Sequence, residues 1–93
     1  MIYGYARAST DGQSVEAQVA ALTSAGAGKV FREVASEAKT DRVQLRRALD
    51  QLDDGDVVMV TRLDRLARST RDLLNTLATI AGKQAGFRSL GDT

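Results

Sequence analysis

From Ile2 to Arg7 the chain alternates, with Ile2, Gly4 and Ala6 on one parity and Tyr3, Tyr5 and Arg7 on the other, which predicts a strand. A turn follows at Asp11 and Gly12. Val15, Val19 and Leu22 then recur at helical spacing behind Ser14, a good capping residue. Glu16 sits where a helix dipole favours a carboxylate, and Gly26 and Gly28 end the run. Val30 to Val34 predicts a second strand. Ala35 to Asp41 carries Ser36, Glu37, Lys39 and Thr40 but no large apolar residue, and reads as a mobile loop.

Thr40 or Asp41 is suited to cap a second helix with the stripe Leu45, Leu49 and Leu52, stopped by Asp54 and Gly55. Val57 to Val60 is wholly apolar, as expected of a strand buried on both faces of a parallel sheet. Ser69 with Asp72 has capping-box spacing, and Leu73, Leu74, Leu77, Ile80 and Ala81 predict a third amphipathic helix ending near Gly82. Phe87 to Leu90 is expected to be a fourth strand. This alternation predicts a three-layer α/β fold, a mainly parallel four-stranded sheet flanked by helices.

Composition narrows the chemistry more than the fold. At 93 residues the chain makes one small domain, and with Trp absent and only 4% aromatic residues its core rests on Leu, Val, Ile and Ala, so modest stability is expected. Cys and His are both absent, which removes disulfides, thiolate nucleophiles, imidazole bases and the commonest transition-metal ligands. No apolar run is long enough to span a membrane and no signal peptide is visible, so a cytoplasmic location is expected. The formal net charge of +1 is too small to indicate a nucleic-acid partner by itself, so any such role must come from how charge is distributed.

Two places concentrate chemistry. If the first strand stays extended for two more residues, Ser9 joins Tyr5 and Arg7 on one face, at the carboxyl end of a strand where ligands of open α/β sheets bind. On these residues alone, Ser9 and Thr10 read as ordinary turn residues in preference to a nucleophile. Between Thr61 and Arg71, Arg62, Arg65, Arg68 and Arg71 stand against Asp64 alone, a local charge of +3. Arg65 and Arg68 are three apart, so one helical turn would aim both at a phosphate. The alternative is a solvated face paired with Asp50, Asp53, Asp54 and Asp56. Arg42 follows the polar loop and reads either as a surface residue or as one that swings with that loop. Neither a GxxxxGK[ST] nor a GxGxxG pattern occurs, and the carboxylates around Gly55 read as a polar turn in preference to a magnesium site.

Taken together, GYARASTDGQS (Gly4 to Ser14), Gln18, TDR (Thr40 to Arg42), GDVVMVTRLDRLARS (Gly55 to Ser69) and DLL (Asp72 to Leu74) resemble the catalytic domain of the serine site-specific recombinases, the resolvase and invertase family. The resemblance runs in order over nearly the whole chain. It implies that Ser9 attacks a phosphodiester of double-stranded DNA, giving a phosphoserine linkage and a free 3′ hydroxyl, with no metal or other cofactor. It also implies that Arg7, Arg42, Arg65 and Arg68 surround the scissile phosphate, with Asp64 beside them and Tyr5, Gln13 and Gln18 in support.

The chain departs from that pattern at Glu37, where relatives commonly carry Gly, and at Gln51, where some carry a basic residue. Relatives also continue into a long dimerisation helix and a helix-turn-helix domain. Residues 1–93 are therefore expected to be a catalytic domain truncated before both. Such a chain is expected to be inert alone and monomeric or weakly associating, while the full-length protein is expected to form dimers and tetramers. The alternative is a non-catalytic remnant or interaction module of a mobile-element recombinase.

Overall fold

A computed structural model describes residues 1–8, 13–34, 43–62 and 69–91. Its elements run β1 (Ile2–Ala8), α1 (Gln13–Ser24), β2 (Lys29–Val34), α2 (Val43–Asp50), β3 (Val57–Val60), α3 (Thr70–Gly82) and β4 (Gly86–Ser89). The four strands form one sheet in the order β2-β1-β3-β4, and all three pairings are parallel. Tyr5 lies beside Phe31 and Arg7 beside Glu33 across β1 and β2, while Ile2 to Gly4 match Val57 to Met59 across β1 and β3.

The parity of β1 sorts the core into two layers. Ala6 packs with Val15, Leu22 and Met59, and Ile2, Val19 and Val30 close around them, so α1 covers this face. Tyr5 packs on the other face with Phe31, Leu45, Ala48 and Val60, and Leu73 and Leu77 join them, so α2 and α3 share that side. Gly4 faces α1 at close quarters: a Cβ there would stand 3.1 Å from Val30 Cγ2 and 3.2 Å from Leu22 Cδ1. Val58, Met59 and Val60 are fully buried, as an apolar strand between two helical layers requires. The three-layer architecture expected from the sequence is present.

Several local expectations change. Helix α1 begins at Gln13, so Ser14 lies inside its first turn and does not precede it. Leu52 is buried but lies past the end of α2. Leu74, read as part of the buried stripe of α3, is 61% exposed because the core needs only Leu73, Thr76, Leu77 and Ile80 from that helix. Ala81 is exposed too. Strand β4 starts one residue earlier than predicted and stops before Leu90, although the Leu90 N–H still donates to the Val60 carbonyl. The Ser69 cap holds as read, with its hydroxyl accepting from the Asp72 N–H at 3.1 Å. The stretch Ala35 to Asp41, including both residues proposed to cap α2, lies outside the described residues. Among the described residues no helix is long and apolar enough to cross a membrane.

At the amino end of the sheet the Asp53 to Asp56 turn is tied down by one carboxylate. Gly55 takes φ +89°, a conformation that favours glycine. Asp56 then accepts the Asp53 N–H at 2.9 Å and the Met1 ammonium at 3.1 Å. These two bonds hold the Asp56 carboxyl below its ordinary value of 3.8, the Asp53 N–H being the larger cause. A depressed carboxyl stabilises the fold above its unfolded pKa and ceases to do so as pH falls through the folded value. Asp56→Asn is therefore expected to melt below the parent chain at neutral pH. Thermal melts through the acid range should show the gap closing below about pH 4.

Candidate active site

In the strand order β2-β1-β3-β4 the chain steps from β1 outward to β2 and then returns across β1 to β3. The carboxyl ends of β1 and β3 thus flank the point where the winding reverses, the usual position of a ligand crevice in such sheets. Strand β1 ends at Ala8, one residue before Ser9. Strand β3 ends at Val60, and Thr61 and Arg62 lead toward Asp64, Arg65 and Arg68. The two segments that the sequence marks for chemistry therefore depart from neighbouring strands.

Two side chains hold the end of β1. Helix α1 delivers Gln18 from below, buried to 6% exposure. Its Oε1 accepts from the Arg7 N–H at 3.1 Å, and its Nε2 donates to the Arg7 carbonyl at 2.8 Å. A strand residue points both backbone groups to the same side, and the pairing of β1 with β3 runs only from Ile2 to Gly4. The carboxamide of Gln18 stands in for the strand residue that β3 does not supply. Arg7 is held by its main chain and keeps its side chain half-buried on the parity of Tyr5.

The second anchor is Glu33, near the end of β2. Tyr5 has no exposed surface, and its hydroxyl donates to Glu33 Oε1 at 3.2 Å. The same oxygen accepts the Leu45 N–H at 3.3 Å, and Oε2 accepts the Gln44 N–H at 3.4 Å. These amides belong to the first turn of α2, where helix N–H groups lack partners within the helix and the dipole favours a negative charge. One carboxylate thus fastens β1, β2 and the start of α2 together, with Arg7 as its neighbour in the sheet register.

Of the residues singled out from the sequence, the structure brings Tyr5, Arg7 and Gln18 to this end of the sheet. Gln13 opens α1 at the same end. Ser9, Arg42, Asp64, Arg65 and Arg68 lie outside the described residues. Glu33 was missed. Its signal was parity: it shares the inward side of β2 with buried Phe31, where an acidic residue requires partners. Arg62 and Arg71, the other basic residues of the arginine segment, are exposed. Among the described residues no group of three or more acidic side chains is arranged to hold a metal ion.

Comparison with known proteins places this geometry. The family model described as resolvase, N terminal domain, matches residues 2–93. A resolvase of Clostridium perfringens is 42% identical over 95 residues, covering 100% of this chain and 50% of that protein. The serine recombinase gin of Escherichia phage Mu is 40% identical over 93 residues, covering 100% of this chain and 48% of its own length. The chain spans about half the length of these relatives. Among solved structures, the C-terminal catalytic domain of ISC1926 TnpA, an IS607-like serine recombinase, superposes with a TM-score of 0.78 at 22% identity. That likeness covers 96% of this chain and 66% of the other, and speaks to the fold.

The two anchors give separable outcomes. Gln18→Ala leaves the Arg7 N–H and carbonyl without their partner and should cost about 1–3 kcal/mol in denaturant unfolding. Glu33→Ala should speed hydrogen exchange at the Gln44 and Leu45 amides while leaving the middle of α1 protected.

Proposed function

The chain belongs to the resolvase N-terminal domain family, and from that premise we propose that it is the catalytic domain of a DNA site-specific recombinase that works through a covalent phosphoserine intermediate. The observation that carries the reading is the adjacency of β1 and β3, because it starts the Ser9 segment and the arginine segment from neighbouring strand ends.

In the proposed reaction the Ser9 oxygen attacks the phosphorus of a DNA phosphodiester. The Ser9 O–P bond forms as the bond from phosphorus to the 3′ oxygen breaks, and that oxygen leaves as a 3′ hydroxyl after gaining a proton. Attack by a 3′ hydroxyl of the exchanged strand on the phosphoserine then reverses the chemistry and frees Ser9. One phosphoester replaces another at each step, so strand exchange draws on no energy cofactor. Negative charge grows on the phosphoryl oxygens in the transition state. In a chain without histidine or cysteine, the groups suited to stabilise it are guanidiniums, which offer paired donors to phosphate at any physiological pH.

Arg7, Arg42, Arg65 and Arg68 are assigned that work, with Asp64 orienting the arginine segment. Tyr5 and Gln18 are assigned the positioning of β1, and Gln13 the start of α1. The hydrogen bonds of Gln18 to the Arg7 main chain support its assignment, since they fix the strand from which Ser9 follows. The matched relatives are about twice as long as this chain. Subunit association and the reading of a particular DNA site are therefore assigned chiefly to sequence beyond these 93 residues.

The test joins residues 1–93 to the C-terminal half of one of these resolvases and supplies that protein's recombination site. A protein–DNA adduct that survives denaturation is expected, and Ser9→Ala should abolish it. Arg65→Ala and Arg68→Ala should each slow its formation by about 10²–10³-fold. A fusion that folds and binds its site yet forms no adduct would refute catalysis by this domain and leave a binding remnant, with Glu37 the first substitution to reverse.

A further inference from the structure

Strand β4 keeps bonding to its neighbour past its own end. The N–H groups of Gly86 and Leu90 donate to the carbonyls of Asp56 and Val60, the same spacing on both strands, as a parallel ladder with alternating donors requires. In a continued strand the N–H of the next residue, Gly91, would point away from β3. It donates instead to the Thr61 carbonyl at 2.7 Å. The chain therefore turns at Leu90 and lays Gly91 across the end of β3, where Thr61 opens the arginine segment.

Only a residue without a side chain fits there. A Cβ built on Gly91 would stand 2.8 Å from the Thr61 carbonyl oxygen and 3.2 Å from Arg62 Cγ. The nearer of the two is a backbone atom, which no rotamer change can move aside. Backbone conformation is not the reason for this glycine, since among the described glycines positive φ belongs to Gly26 and Gly55. The rest of the neighbourhood is not so tight. A Cβ at Gly86 would meet Val57 Cγ2 at 3.7 Å, an ordinary contact, and one at Gly82 would meet nothing within 4 Å. Space is short where the chain leaving β4 crosses onto the first residue of the arginine segment.

We infer that Gly91 is a positioning residue for the proposed DNA-cleaving reaction: by letting the chain close on Thr61, it fixes where the segment carrying Asp64, Arg65 and Arg68 leaves the sheet. The inference rests on the reading of the chain as a recombinase catalytic domain. That segment is held at both of its described ends, since Gly91 bonds Thr61 before it and Ser69 caps α3 after it. A methyl group at position 91 forces one of two changes. Either Thr61 moves away, or the bond from the Gly91 N–H breaks and Thr61 loses its anchor. Both displace the start of the segment, and guanidiniums that must meet phosphoryl oxygens in a transition state are sensitive to small displacements.

The test uses the fusion of residues 1–93 to a resolvase C-terminal half and follows adduct formation across a range of DNA concentrations. A misplacement of about 1 Å can cost about 10²-fold, so Gly91→Ala should lower the rate at saturating DNA by about tenfold, with the half-saturating DNA concentration unchanged. Gly86→Ala makes the same change in β4 without the close approach and should match the parent. Asp56→Asn weakens the far end of the sheet and, assayed well below its melting temperature, should also keep the parent rate, which separates position from stability. In the 93-residue chain itself, Gly91→Ala should shift amide resonances along the arginine segment as far as Arg68, and Gly86→Ala should leave them in place. A parent-like rate in Gly91→Ala would overturn the inference, as would resonance shifts confined to Thr61 and Arg62 or equal slowing in Asp56→Asn. Failure of the parent fusion to form any adduct would instead refute the reading on which the inference rests, and the resonances would still decide whether Gly91 positions the segment.

Discussion

The Glu33 carboxylate is the joint on which the carboxyl end of this sheet depends. A negative charge half-sheltered beneath a helix is stable only where donors converge, and here three come from two elements: the Tyr5 hydroxyl on β1, and the Gln44 and Leu45 amides of α2. The helix gains the acceptor that its first turn lacks, and β1 gains a fixed position relative to α2. Gln18 completes the frame from the opposite layer by binding the Arg7 main chain where β3 falls short. Between them these side chains fix the end of β1, from which the Ser9 segment follows.

That frame matters because the chain has so few chemical options. Without histidine or cysteine in the sequence, the proposed phosphoryl transfer draws on arginine for charge and on the backbone for aim. Guanidiniums remain charged at any working pH, so such a site is governed by position more than by protonation. The winding of the sheet supplies the position: reversal between β1 and β3 sets the origin of the Ser9 segment beside that of the arginine segment.

Much of the fold was legible from the pattern alone. The alternation from Ile2 to Arg7 correctly divided the two faces of β1, and the unbroken apolar run from Val57 to Val60 marked a strand buried on both sides. Leu74 misled because apolar periodicity cannot say how wide a stripe the core will accept. Ser14 misled because a capping residue type one position into a helix looks the same as a cap. The site was less legible. Ser9 and the arginines were noticed as residues, but only resemblance to a family separated them from a turn and a solvated face. Tyr5 and Gln18 were named on the same ground, and their actual partners were not: parity marks Glu33 as an inward carboxylate, but hydrogen bonds between elements leave no periodic trace that joins it to Tyr5 or Gln18 to the Arg7 backbone.

The most direct test of the account is the identity of the atom joined to DNA. An adduct from the fused protein, digested with nuclease and protease, should yield in the mass spectrometer a single modified peptide with the nucleotide on Ser9. A nucleotide found on Tyr3, Tyr5 or any residue other than Ser9 would contradict the proposed chemistry and the role given to the end of β1.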